Sequence, residues 1–208
     1  MLIGLSDVRR PENRPIAGFC IWFIAIDIVS GKPEHNLAND DCFARILGLI
    51  NSLRIHGWVI GPPCETWTAI RFLEMLASKG PRPLRSASSP WALPNLSRRE
   101  FAQLGIGNSL LRVALTLCVE SLGRGMSGLV EHPEEPANVS YPSIWKLGLT
   151  RRLAAHPDAK RFGFKQGPLG QVSPKPTRFL TANLPRVQEY IASFSSSHFR
   201  PAPIAVGH

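Results

Sequence analysis

The sequence is poor in cysteine, and the few cysteines it has form no recognisable metal or disulfide pattern. They contain no C-x-x-C pair, and no histidine stands at zinc-ligand spacing from them: Cys20, Cys42, Cys64 and Cys118. In a chain of 208 residues without a secretory signal, a disulfide framework is not expected. We therefore expect no bound metal and an intracellular protein, nuclear or cytoplasmic and not secreted.

The sequence also lacks a long hydrophobic run. Residues 16–26 are continuously apolar or small, but this segment is too short to span a bilayer and is followed by Asp27. We interpret it as a buried strand and expect no membrane partner.

Acidic residues are scarce relative to basic ones. The chain has 15 Asp and Glu against 24 Lys and Arg, which gives a net charge of +9. Such an excess favours a polyanionic partner such as nucleic acid. A basic surface without a specific partner is the alternative.

The segments that remain alternate between strand-like and helix-like patterns. The predicted strands are residues 21–28, 58–60, 128–131, 161–166 and 177–182. The predicted helices are residues 40–53, a long helix opened by a Ser97–Glu100 capping box, and one opened by Ser140 and Pro142. This alternation predicts an α/β fold, with an open, mostly parallel sheet and helices on both faces.

A single domain over residues 16–194 accommodates these elements. Residues 78–96, rich in Pro, Ser and Arg, are predicted to form a long loop inside it. Residues 1–15 are expected to be an irregular N-terminal segment, and residues 195–208 a disordered tail.

Three polar residues, Asp27, Cys64 and Glu131, each close an apolar run. In open α/β sheets the functional groups lie at the carboxyl ends of the strands. A Gly-Pro-Pro turn holds Cys64 stiffly, and a helix start after it would favour the thiolate. A thiolate can add to an electron-poor heteroaromatic ring while a carboxylic acid protonates the ring nitrogen. An acidic residue at the end of an earlier strand can accept hydrogen bonds from the ribose hydroxyls of a cofactor.

Each of these residues also has a structural interpretation. Cys64 would then be a packed thiol, Glu131 a helix-cap partner and Asp27 a solvated strand end. A thiol hydrolase, with His56 or His132 as the base for Cys64, is a further alternative.

Two motifs resemble those of DNA cytosine-5 methyltransferases. Gly61-Pro62-Pro63-Cys64 followed by Trp67-Thr68 is similar to the proline–cysteine motif of that family. Glu131-His132-Pro133 resembles its second motif, glutamate–asparagine followed by valine or proline.

Two further segments extend the resemblance, which covers roughly residues 17–182. Ala25-Ile26-Asp27-Ile28 looks like the family's second strand, whose acid holds the cofactor ribose. Gln166 with Lys175-Pro176-Thr177 is similar to a segment of divergent, phage-like members.

The resemblance implies a Rossmann-like class I fold that binds S-adenosylmethionine and a nucleic-acid partner that is DNA in preference to RNA. It also implies roles for individual residues. The implied catalytic residues are Cys64, attacking C6 of cytosine, and Glu131, acting at N3. The implied cofactor-binding residues are Asp27, Ile28, Asn36 and Pro62. The implied nucleic-acid-binding residues are Arg71, Arg82, Arg85 and Lys175.

The sequence departs from the family pattern at several points. It has no glycine-rich turn before Asp27 and no Q-x-R-x-R motif, and His132 stands in place of asparagine. We therefore expect a divergent, incomplete methyltransferase core, truncated at both ends. The alternative is a non-catalytic, basic nucleic-acid-binding remnant of such an enzyme, derived from a mobile element.

Overall fold

The structure is a computed structural model that describes residue 26 and residues 35–69, 71–72, 81–169 and 175–196. Of the strand predicted over residues 21–28, only Ile26 falls within these ranges, and its side chain is buried in the core. The irregular segment predicted over residues 1–15 lies outside them. So do residues 197–208 of the predicted disordered tail, whereas residues 195–196 are helical.

The described residues form a mixed α/β fold with four helices and four strands. The helices are α1 (Asp40–Asn51), α2 (Arg98–Arg124), α3 (Gly148–Ala154) and α4 (Val187–Ser196). The strands are β1 (Gly57–Ile60), β2 (Ser127–Pro133), β3 (Ala159–Lys165) and β4 (Pro176–Ala182). The predicted α/β class is confirmed.

Helix α2 begins where its sequence predicts. The Ser97 side chain accepts from the Glu100 amide while the Glu100 carboxylate accepts from the Ser97 amide, which completes the predicted capping box. The helix ends at Gly125, whose φ of 67° is the left-handed conformation that glycine adopts without strain.

The four strands form one sheet in the order β1-β2-β4-β3. Strands β1 and β2 are parallel, whereas β4 runs antiparallel to both of its neighbours. The sheet is therefore mixed rather than mostly parallel, because a reversed strand is inserted between two strands that share a direction. As a result, the carboxyl ends of β1, β2 and β3 lie at the same edge as the amino end of β4.

The helix predicted to start near Ser140 is interrupted. Ile144–Lys146 forms a single 3₁₀ turn, capped by the Ser143 hydroxyl, which accepts from the Trp145 amide. Leu147 then has extended backbone, with φ −65° and ψ 140°, before α3 begins. The apolar spacing predicts one helix because both pieces bury their apolar residues in the same core.

Helix α2 packs against β2 and contributes much of the core. It is also long and apolar enough, by length and composition, to cross a membrane. A core helix of a folded domain meets the same criterion, and Leu111, Leu115 and Cys118 of α2 are buried inside this one.

Candidate active site at the carboxyl edge of the sheet

The sheet topology brings four of the singled-out side chains to one edge. Cys64 follows β1, and Glu131 lies near the carboxyl end of β2. Gln166 follows β3, and Lys175 immediately precedes β4. The Gln166 backbone N–H donates to the Lys175 backbone carbonyl at 3.2 Å, which extends the β3–β4 pairing to this edge.

The turn after β1 is well packed. Gly61 and Pro62 are buried, and the Trp67 amide donates to the Cys64 carbonyl at 2.8 Å. Cys64 itself is half-buried and is not in a disulfide. The proline-rich turn therefore presents the thiol from a fixed backbone, as its sequence predicts.

Glu131 is buried and held by two donors. Its Oε1 accepts from Lys175 Nζ at 3.2 Å and from Gln166 Nε2 at 3.3 Å. Within the described part of the chain no hydrogen bond reaches Oε2. The two donors thus fix one oxygen of Glu131, and Lys175 serves Glu131 rather than being free for a phosphate.

The electrostatics at Cys64 differ from the sequence-based expectation. Burial raises the pKa of its thiol, the nearby Lys175 ammonium opposes this, and Glu131 adds to the rise. A turn at residues 65–67 directly follows Cys64, and the next described helical residues are 71–72, so within the described residues no helix begins directly after Cys64. The positive charge that favours the thiolate comes instead from Lys175.

His132 lies on the opposite face of β2 from Glu131, because successive strand residues alternate. Its ring contacts the edges of Trp67 and Trp145, with centroids 6.4 Å and 6.2 Å apart. Burial, together with the Lys175 charge, lowers the pKa of His132 to about 3. It is therefore neutral and a poor proton acceptor at neutral pH.

His56 is no better placed as a base for Cys64. It precedes β1, whereas Cys64 follows the other end of that strand. The length of β1 therefore separates the two side chains, and neither histidine supports the thiol hydrolase alternative.

Two arginines predicted to contact nucleic acid are buried. Arg85 is fully buried and donates to Thr66 Oγ1 at 2.9 Å and to Asn108 Oδ1 at 2.7 Å, with its guanidinium 4.1 Å from the Trp67 ring centroid. Arg71 is also buried, and its Nε donates to the Glu65 carbonyl at 2.7 Å. Neither side chain is exposed enough to reach a phosphate.

These arginines instead hold the loop over residues 81–96, which has no helix or strand, as predicted. Arg71 Nη1 donates to the Arg82 carbonyl at 3.1 Å, and Arg85 Nη1 donates to the Pro90 carbonyl at 2.8 Å. Burial, and secondarily Arg71, lowers the pKa of Arg85 to about 10, so the Arg85 guanidinium remains charged at neutral pH. The two side chains join the loop to the turn after β1 and to α2.

Arg82 is the exposed member of the predicted set, but it already has a partner. Its Nε and Nη2 donate to the two oxygens of Glu100, at 2.7 Å and 2.8 Å. This bidentate pair lowers the pKa of Glu100 to about 2. Arg82 thus completes the cap of α2 from the loop side.

The residues assigned to the cofactor are only partly described. Asp27 and Ile28 lie outside the described residues. Asn36 Oδ1 accepts from the Ala38 amide at 3.0 Å, and Pro62 is buried in the turn. Among the described residues, no group of three or more His, Cys, Asp or Glu is arranged to hold a metal ion.

The sequence does not predict the cluster of Arg85 with Trp67 and His132, because its members are distant along the chain. The one feature of the sequence that marks the cluster is Trp67, three residues after Cys64.

Comparisons with protein-family models, with curated proteins and with solved structures found no match to this chain.

Proposed function

We propose that this chain is a divergent cytosine-5 methyltransferase-like protein that acts on cytosine in nucleic acid through Cys64 and Glu131. One observation carries the proposal: a cysteine and a glutamate close two adjacent parallel strands at one edge of the sheet. That edge also holds the Lys175 and Gln166 donors that orient the glutamate. A nucleophile and an acid meeting there is the arrangement that addition to a pyrimidine ring requires.

The chain's own residues would act in sequence on an extruded cytosine. Cys64 Sγ bonds to C6 while the electron pair of the C5–C6 double bond moves to C5. Glu131, whose Oε1 accepts hydrogen bonds from Lys175 and Gln166, supplies a proton or hydrogen bond at N3 through its other oxygen. S-adenosylmethionine, when bound, supplies the methyl group for C5. Loss of the C5 proton to solvent then restores the C5–C6 double bond and breaks the bond from C6 to Cys64, which leaves as the thiolate.

The strand order supports the finer description of the fold. Class I methyltransferase sheets likewise carry one reversed strand between parallel ones, as β4 lies here between β2 and β3. The cofactor site has weaker support. Asn36 is engaged by its own loop and Pro62 is buried, so these two residues offer little to a nucleoside. The proposal that S-adenosylmethionine binds therefore rests on residues 27–28 and on the resemblance.

The second candidate is a non-catalytic nucleic-acid-binding remnant. The observation that favours it is the raised pKa of Cys64, since a thiol disfavoured as thiolate is a weak nucleophile at neutral pH. The missing glycine-rich turn points the same way. In this candidate the net charge of +9 provides binding without chemistry.

Trapping on DNA that contains 5-fluorocytosine separates the two candidates. Fluorine at C5 prevents the final elimination, so an active protein should form a denaturant-resistant adduct only when S-adenosylmethionine is present. Cys64→Ser should abolish the adduct and Glu131→Gln should slow it, whereas Cys118→Ala, which removes a thiol buried in α2, should preserve it.

An adduct that survives Cys64→Ser would contradict the assignment of the nucleophile. A folded protein that binds DNA, forms no adduct and shows no thermal shift with the cofactor is the remnant. Binding at a hundredfold excess over the dissociation constant should stabilise the protein by about 2.7 kcal/mol, which a melt detects without any activity.

A further inference from the structure

A group of basic side chains on and beside edge strand β3 has no acidic partner. Elsewhere in the described residues, Arg82, Arg124, Lys175 and Arg178 each pair with a carboxylate, whereas other cations, among them Arg54, Arg98 and Arg99, form no ion pair. On and beside β3, six cations without an ion pair in the same described ranges occur on neighbouring elements, and we call them the basic edge. These are Lys146, Arg151, Arg152, Lys160, Arg161 and Lys165. All but the half-buried Lys146 are exposed.

Hydrogen bonds to two successive carbonyl groups bring part of the basic edge together. Arg151 donates through Nε at 3.0 Å and Nη2 at 2.6 Å to the Lys146 carbonyl. Arg161 Nη1 lies 3.4 Å from the neighbouring Trp145 carbonyl. The two guanidinium groups, one from α3 and one from β3, therefore converge at the 3₁₀ turn with no carboxylate between them.

The basic edge leads toward the candidate active site. Arg161 and Lys165 lie on the same face of β3, since they are separated by an even number of residues. The Glu134 carboxylate, which pairs with Arg178, lies over Gly163 between them. Four residues of strand span about 13 Å, which lets the two cations reach separate phosphates of one nucleic-acid strand. Lys165 pairs with Pro176, the neighbour of the Lys175 that binds Glu131.

Lysines on an edge strand also discourage pairing with another sheet. That purpose accounts for charges on β3 itself. It does not account for Lys146 and Arg151, which lie off the strand and add positive charge to the same surface.

We propose that the basic edge binds the phosphate backbone of nucleic acid and leads it to Glu131 and Cys64. The inference rests on the nucleic-acid partner of the proposed function, but not on methyl transfer. It replaces Arg71, Arg82 and Arg85, which are buried or already paired, with a different set of phosphate ligands.

The test compares two variants of equal net charge in binding to a short fluorescent DNA duplex over a series of salt concentrations. One variant carries Arg151→Gln, Arg161→Gln and Lys165→Gln in the basic edge. The matched control carries Arg54→Gln, Arg98→Gln and Arg99→Gln, which remove three exposed cations elsewhere. The first variant should lose about tenfold or more in affinity and lower the salt slope by about 3, while the control stays near wild type.

Equal weakening by both variants, or no weakening by the first, would overturn the proposal. So would displacement of the duplex by polyglutamate of equal charge as readily as by unlabelled DNA. If the triple variant does not melt cooperatively, the comparison of Lys165→Glu with Arg98→Glu replaces it, since both are exposed single sites. DNA affinity and adduct formation are measured separately, so failure of the chemistry and failure of this surface are distinguishable.

Discussion

Replacing Arg85 by methionine should destabilise the fold rather than weaken DNA binding. The substitution keeps an apolar stem in the buried site and removes the guanidinium. It would leave Thr66 Oγ1, Asn108 Oδ1 and the Pro90 carbonyl without that donor, and Trp67 without the cation over its ring.

The size of the effect follows from these contacts. Hydrogen bonds from a charged donor contribute about 1.5–3 kcal/mol each, and a buried cation–π contact about 2 kcal/mol. The desolvation of a buried cation, several kcal/mol, offsets a large part of that sum. The net loss should be about 3 kcal/mol, which lowers the melting temperature by about 6–12 °C in a chain of this size.

Urea unfolding measures this loss directly. Arg112→Met is the matched control, because Arg112 is exposed on α2 and its guanidinium lies 5.7 Å from the Trp91 ring centroid. That variant should unfold near the wild-type midpoint. Arg85→Met could instead keep the wild-type midpoint while DNA affinity falls. Arg85 would then be a phosphate ligand, as the resemblance implies, and its structural role in holding the loop would be refuted.

Two further substitutions test the electrostatics of the candidate active site and of His132 on the opposite face of β2. Lys175→Met should raise the pKa of Cys64 further and slow its alkylation by iodoacetamide at mildly alkaline pH, because the ammonium that favours the thiolate is lost. Lys165→Met is the control, and equal rates in the two variants would contradict the role of Lys175. His132 has a folded pKa of about 3 against an ordinary 6.5, so its contribution to stability is full above pH 6.5 and is lost as the pH falls toward 3. His132→Gln should flatten that acid decline, by at most about 1.4 kcal/mol per pH unit, in urea titrations at successive pH values. The control His156→Gln, at an exposed histidine, should leave the acid decline unchanged. An unchanged decline in His132→Gln would refute the lowered pKa of His132.

Local sequence determined most of the helices and strands. The Ser97–Glu100 pattern predicted the start of α2, and the apolar runs predicted β1, β2, β3 and β4 to within a few residues. These features depend on hydrogen bonds and side-chain periodicity within one short segment, so the residues that decide them are printed side by side. The same is true of the rigid turn that presents Cys64.

Only the tertiary structure decided which strands are neighbours and which charges are buried. Strand β4 lies between β2 and β3, and this insertion brings Lys175 to Glu131 across 44 residues of sequence. Arg85 and Arg161 look alike in a sequence, yet one is fully buried and the other is exposed without an ion pair in the described chain. The sequence by itself determined the elements and the charged residues available. Their partners were decided by long-range packing, because burial and electrostatic pairing depend on residues that are distant along the chain.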